Sequence, residues 1–345
     1  MPAPVTTRRR RLAGLLLLVA ILLIAVAASI AIGSRMLPLG TVYDALTCPG
    51  GWPLSCPSES AGEQIVRELR LPRTGLAIIT GLALGVAGAL IQGFTRNPLA
   101  DAGLLGLNAG AAFLAALSIY LFGFTSPSQY VWFAFAGSAI AGVVVFGVSA
   151  IGGGKASPLS LVLAGAAMTA LLTALTNTVV LLDASALDTY RHWVVGNVAG
   201  HDAAVFQQVL PFLLIGAVLS LAATPGLNVL SLGDDVARGL GVNLTRSRAI
   251  GLAAVVLLTG AATAAVGPIA FIGLMVPHIA RTITGPDNRW LVPYSGLLGA
   301  IALLLADIIG RVIARPTELQ AGVMLAALGA PFFVYLVRRR KLVSL

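Results

Sequence analysis

The side chains able to do chemistry in this chain are few and scattered. Its three histidines, His192, His201 and His278, have no metal-ligand spacing, and neither H-E-x-x-H nor G-x-S-x-G occurs. The stretch Gly152-Gly153-Gly154-Lys155-Ala156-Ser157 has the residue types of a phosphate loop but not the G-x-x-x-x-G-K-[ST] order, and no soluble strand leads into it, so it reads as a short polar turn. Asp307 is the one acid inside an apolar run; such a residue is a functional candidate by default, and otherwise needs water or an arginine beside it. What remains is binding chemistry. Arg70, Arg73 and Arg311 stand at the ends of apolar runs, where guanidinium groups can hold carboxylates. The segment LNVLSLGDDVARGLGVN (residues 227–243) places Asp234 and Asp235 ahead of Arg238, between glycines. Cys48 and Cys56 would permit a small-loop disulfide if their segment is extracytoplasmic, and two free thiols fit nearly as well.

The elements that must position these groups are membrane helices. Of 345 residues, 58% are hydrophobic and 10% charged, which leaves too little polar surface for a soluble domain. A formal charge of +9 does not point to nucleic acid, because the arginines gather at the ends of apolar runs rather than on one face. About ten spans follow from the apolar runs: 12–32, 74–93, 103–122, 130–151, 159–182, 209–223, 249–266, a shorter run reaching His278 after the Gly267-Pro268 break, 291–309 and 319–337. The first follows the basic cluster Arg8 to Arg11 and resembles a signal peptide, but it is too long for one and reads as a retained span. Residues 35–69 form the longest polar connection, with a short helix expected near 59–68, and residues 183–208 suit an interfacial helix plus loop.

An even number of spans puts both termini on one side. Cytoplasmic termini assign 15 Lys/Arg to the cytoplasm (Arg8 to Arg11, Arg96, Lys155, Arg238, Arg246, Arg248, Arg281, Arg289 and 338–341) and 7 to the outside (Arg35, Arg67, Arg70, Arg73, Arg191, Arg311, Arg315). The excess favours that orientation. Arg70, Arg73, Arg311 and Arg315 are then basic residues against the rule, which invites a functional explanation. In the second span, Gly81, Gly85 and Gly88 share one face, where small residues let another helix approach, and Arg96-Asn97-Pro98 stops the helix. Residues 233–241 suit a short cytoplasmic helix opened by acids and closed by glycine, either a surface element or a docking knob for a soluble partner.

Five segments together resemble one family: RLPRT…GALIQGFTRNPLADAGLLGLNAGA, LSLGDDVARGLGVN, GPIAFIGLMVPHIAR, LLLADIIGR and LGAPFFVYLVRRR. In this order the chain is similar to the membrane subunits of type II ABC importers, the iron-siderophore and vitamin B12 permease family. The resemblance implies an all-α membrane fold of about ten transmembrane helices, with residues 1–345 as a single permease domain. It implies a dimer with a second permease subunit, more often a different chain, with a homodimer left open. It also implies two ATPase subunits that bind ATP and Mg, so this chain holds no cofactor and has no ATPase site of its own, and an extracytoplasmic siderophore-binding protein. Residue by residue, it places binding-protein docking on Arg70, Arg73 and Arg311. It places ATPase coupling on Gly233, Asp234, Asp235, Ala237, Arg238, Leu240 and Gly241. Asn97 and Leu99 match its inner gate, and Ser157, Pro158 and Leu159 a second gate element, where some relatives carry small hydroxyl residues instead. TRNPLADAGLLGLNAGA, the two cysteines and ADIIGRVI are similar to the ferric-enterobactin type. The expectation is therefore a multi-pass protein of the cytoplasmic membrane that imports a ferric catecholate siderophore by alternating access. The competing readings are another chelate such as vitamin B12 or haem, and an ion-coupled secondary transporter, which would need ionisable groups inside the spans.

Overall fold

The computed structural model describes residues 5–47, 60–151, 158–200 and 203–338, so Cys48, Cys56 and Ser157 lie outside the described residues. Ten principal helices follow in chain order: α1 (Val5–Ala31), α2 (Leu71–Thr95), α3 (Leu107–Phe122), α4 (Pro127–Ile151), α5 (Pro158–Leu182), α6 (Ala203–Leu230), α7 (Leu244–Val266), α8 (Ile272–Thr284), α9 (Asn288–Ile313) and α10 (Ala321–Arg338). Short helices cover Leu39–Leu46, Ala184–Val194 and Asp234–Gly239, and a π-helical turn, Ile65–Arg70, leads from Ala61–Gln64 directly into α2. Among the described residues there is no strand, and seven helices are long and apolar enough to cross a bilayer alone; α3, α8 and α10 are shorter.

Several helices run beyond the sequence expectation, α6 and α8 among them. α6 extends over 203–230 rather than 209–223, with Pro211 and Pro225 inside it. Proline is tolerated in membrane helices where the surrounding bundle accommodates it, and the segment before Pro225 is buried at Ala223 and Thr224. α8 continues past His278 to Thr284, with His278 and Arg281 turned inward and buried. The third span begins late, because residues 102–105 form a 3-10 turn and Gly106 adopts φ 75° before α3.

α2 is the central post, packed against α9 above all and also against α6, α7 and α8. Its three glycines make this possible. A Cβ at Gly81 would lie 2.5 Å from Gly299 O, at Gly85 2.1 Å from Ser295 O, and at Gly88 2.1 Å from Gly273 O. These are backbone atoms that cannot swing aside, so the helix contacts exist only while all three side chains are absent. Gln92, fully buried on the same helix, donates to the carbonyls of Gly273 and Leu274 at 3.3 and 3.1 Å, satisfying the irregular start of α8. With 25 residues at ~1.5 Å each, α2 spans about 37 Å and presents Arg70 and Arg73 at one end and Arg96 at the other. Polar side chains tie the neighbouring helices together at both ends. Large apolar side chains of α5 (Leu159, Leu163, Leu171, Leu181) and α10 (Val323, Leu328, Val334) remain uncovered.

Candidate functional site

At the Arg70 end, the C-terminus of α1 leaves carbonyls without intrahelical partners. Arginines from two other elements supply the missing donors. Arg70 donates to Ile30 O (2.7 Å), Ala31 O (2.8 Å) and Arg35 O (2.7 Å). Arg311 donates to Ser29 O (2.8 Å), Ile32 O (3.0 Å) and Ser29 Oγ (2.8 Å), and Arg315 to Gly33 O (2.8 Å). Positive charge at a helix C-terminus is the favourable arrangement for its dipole. Gly33 is part of the design, since a Cβ there would sit 2.4 Å from the Arg70 guanidinium.

Asp307 is the hub beneath this cap. It is fully buried, with 0% exposure, and accepts from Arg73 Nε at 3.0 Å, from Arg73 Nη2 at 2.6 Å and from Arg311 Nη2 one helical turn away. Its answer to burial is pairing with two arginines. Arg73 has a second carboxylate at the rim, where Glu318 Oε2 lies 2.6 Å from Nη1. Burial would push the Glu318 carboxyl up, but Arg73 outweighs it and holds the group below its ordinary range. Arg70, Arg73 and Arg311 therefore share one end of the bundle, with residue exposures of only 4%, 9% and 1%. Within this cluster, among the described residues, four guanidinium groups (Arg70, Arg73, Arg311, Arg315) stand against two carboxylates (Asp307, Glu318).

At the opposite end, residues 233–241 form the short helix Asp234–Gly239. Asp234 and Asp235 lie in its first turn, and Gly241 at φ 78° ends it, with Val242 N donating to Ala237 O at 3.0 Å and Gly241 N to Arg238 O at 2.9 Å. Ala237 is buried beneath the helix, whereas Val236, Leu240 and, ahead of the Gly233 break, Leu232 are exposed apolar side chains on a segment otherwise flanked by charge. Gly233 (φ 109°) opens the helix, and Asp235 and Arg238 form a loose exposed pair at 3.5 Å.

Asp234 points the other way. It accepts from Arg96 Nη2 at the end of α2 and from Arg248 Nη2, at 2.8 Å, on α7. These two arginines overcome the effect of burial and hold its carboxyl below the ordinary aspartate range. Arg96 also donates through Nε to Leu230 O at the end of α6 (3.1 Å). One carboxylate thus fastens the short helix to α2 and α7. Neither Arg96 nor Arg248 stands out in the sequence as a partner; charge signs around a short helix are the only signal there.

Arg96 adopts the left-handed conformation, φ 50°, as the residue that terminates α2. The chain then turns sharply through Asn97, whose Oδ1 accepts from Leu99 N at 2.9 Å and whose carbonyl accepts from Ala100 N at 3.0 Å. Asn97 and Leu99 are half-buried. Asp101, not singled out in the sequence, lies against Gly273 at the start of α8. The loop after α2 is therefore wedged between the Asp234 node and the interior of the bundle. Pro158 opens α5 and Leu159 is exposed, remote in sequence from this loop. No group of three or more potential metal ligands occurs among the described residues.

Comparison with known proteins agrees with this architecture. The FecCD transport family matches residues 21–339. The chain is 45% identical over 319 residues to the ferric enterobactin transport system permease protein FepD of Escherichia coli K12, covering 92% of each chain. It is 37% identical over 315 residues to the probable siderophore transport system permease protein YfiZ of Bacillus subtilis, covering 91% of this chain and 92% of that one. It is 35% identical over 351 residues to the cobalamin import system permease protein BtuC of Halobacterium salinarum, covering 100% of this chain and 92% of that one. Among solved structures, an inward-facing metal-chelate type ABC transporter superposes with a TM-score of 0.79 at 27% identity, covering 94% of this chain and 98% of that one.

Proposed function

The chain belongs to the FecCD transport family of ABC importer permease subunits, and from that premise we propose that its cargo is a ferric siderophore of the catecholate, enterobactin-like class. The observation that carries the substrate reading is the 45% identity to a ferric enterobactin permease across 92% of both chains. The two-ended polar architecture supports the mechanism. The Arg70 end faces outward and both termini are cytoplasmic. An extracytoplasmic siderophore-binding protein docks there through acidic groups, drawn by the excess of guanidinium over carboxylate in the arginine cluster; such fields steer encounter more than they add affinity. The Asp234 end meets the ATPase subunits, two in the complex, which bind ATP and Mg, through the exposed side chains of Leu232, Val236 and Leu240.

Asp234 passes the motion inward. A displacement of the short helix pulls Arg96 at the end of α2 and Arg248 on α7, and Arg96 directly precedes the Asn97–Leu99 turn that acts as inner gate. The uncovered apolar faces of α5 and α10 meet a second permease subunit, in a heterodimer, so that a bulky chelate crosses between two bundles rather than through one. Residues 1–345 act as a single domain. The test is uptake. Cells lacking their own ferric-enterobactin permease receive this chain with its partner subunits and are given radiolabelled ferric enterobactin, a ferric hydroxamate, or cobalamin. ATP-dependent accumulation of the catecholate alone is expected. Accumulation of cobalamin alone would favour the second reading, suggested by the likeness to a cobalamin permease along 100% of this chain.

A further inference from the structure

We propose that Glu318 is an internal stand-in for the docking partner's carboxylate, which must leave Arg73 before the partner's acid can take its place. The inference rests on the docking reading above and adds what opposes it. Arg73 is held by two carboxylates of opposite character. Asp307 has no solvent exposure, and pairs with Arg73 across α2 and α9 as part of the buried hub, so it cannot be exchanged without opening the bundle. Glu318 sits on the loop between α9 and α10 with its side chain 30% exposed, and bonds the one remaining guanidinium nitrogen, Nη1, at 2.6 Å. Arg73 itself is only 11% exposed in its side chain, so the face covered by Glu318 is the face it can offer to a partner. Arg70 and Arg311 have no such exchangeable ligand; their Nη nitrogens are taken by the chain at and just past the end of α1 and, for Arg311, by Asp307, and Arg311 Nε is buried. Of the three arginines, Arg73 is thus the one whose partner can be swapped, and the group already seated there is a carboxylate. The partner's contact is accordingly an aspartate or glutamate side chain. The device lets docking add no new buried charge, because one carboxylate replaces another. It also keeps affinity moderate, since Glu318 competes from within, and so favours release of the spent binding protein.

The test uses the assembled transporter in nanodiscs and the binding protein that delivers chelate to it, loaded with ferric enterobactin, with affinity and dissociation rate measured on a surface. Four variants are compared with the parent. Glu318→Gln removes the competing charge. Glu318→Asp keeps the charge on a side chain too short to reach Arg73 in the same way. Glu68→Gln removes an exposed acid of the same end that does not contact Arg73. Arg73→Lys keeps a charge for Asp307 but gives up the fork. Glu318→Gln is expected to tighten binding about tenfold, mainly through slower dissociation, Glu318→Asp to tighten it about threefold, and Glu68→Gln to change it by less than about twofold. Arg73→Lys should weaken binding and abolish the gain from Glu318→Gln. Equal gains from Glu318→Gln and Glu68→Gln would reduce the effect to net charge and overturn the proposal. If Arg73→Lys weakens binding while both Glu318 variants match the parent, docking stands and the exchange alone is refuted. If Arg73→Lys changes nothing in either background, the docking reading fails and the exchange falls with it.

Discussion

Replacing Asp307 with asparagine tests the buried hub at the Arg70 end. In the parent, one fully buried carboxylate accepts hydrogen bonds from Arg73 Nε and Nη2 and from Arg311 Nη2. Asparagine keeps the shape but removes the charge and turns an NH2 group toward guanidinium donors. The single remaining side-chain oxygen can accept from Arg73 or from Arg311 but no longer serves both, so one guanidinium loses its bond there and both lose the buried negative charge. Breaking one side of a buried pair costs about 3–5 kcal/mol, because the remaining charge stays desolvated. The assay is reversible denaturation in mixed micelles, followed by far-ultraviolet circular dichroism. A loss below about 1 kcal/mol, the size expected of an exposed pair, would refute the reasoning. The double replacement Asp307→Leu with Arg311→Met sharpens the test. If desolvation dominates, removing both charges recovers part of the loss. Recovery stays incomplete because Arg311 also caps α1.

Other consequences are direct. Gly85→Leu, whose Cβ would fall 2.1 Å from Ser295 O, should abolish monodisperse expression, whereas Gly239→Ala, with nothing within 4 Å, should not. Asp234→Asn should leave ATP hydrolysis by the assembled complex in place but lower chelate uptake per ATP at least fivefold, read in proteoliposomes, because the tie to α2 and α7 is cut while Val236 and Leu240 still face outward. Arg96 and Arg248 hold the Asp234 carboxyl below its ordinary value, so this tie is present above that value and is lost only as pH falls through the lowered one; uptake should show no contribution from this group between about pH 5 and 8. Val236→Asp with Leu240→Asp should release the ATPase subunits in pull-downs while leaving the permease folded, since both side chains are exposed.

The features legible in the sequence were those written in local pattern. The apolar runs mark the principal helices, and the acids and Gly241 fix the short helix Asp234–Gly239 almost to the residue. The glycine face of α2 announces a close approach, though not that its neighbours are α8 and α9. What escaped reading depends on distant partners. Arg73 meets Asp307 across 234 positions, and Arg96 meets Asp234 across 138. Arg70, Arg73 and Arg311 could be placed at one end of the bundle by counting spans. Their inward turn depends on the unsatisfied carbonyls ending α1, which no composition or spacing reveals. The length of α6 escapes local reading because Pro225 reads as a terminator, whereas the helix runs through it to Leu230 within the bundle.

The polarity of the bundle underlies every proposed role and can be measured directly. With Cys48 and Cys56 replaced by serine, Thr317→Cys is placed beside the arginine cluster and Asp235→Cys on the short helix, and right-side-out vesicles are treated with a membrane-impermeant maleimide. The expected result is labelling of position 317 alone, with position 235 reacting only after the vesicles are opened. Labelling of both positions in sealed vesicles, or of 235 alone, would contradict the account.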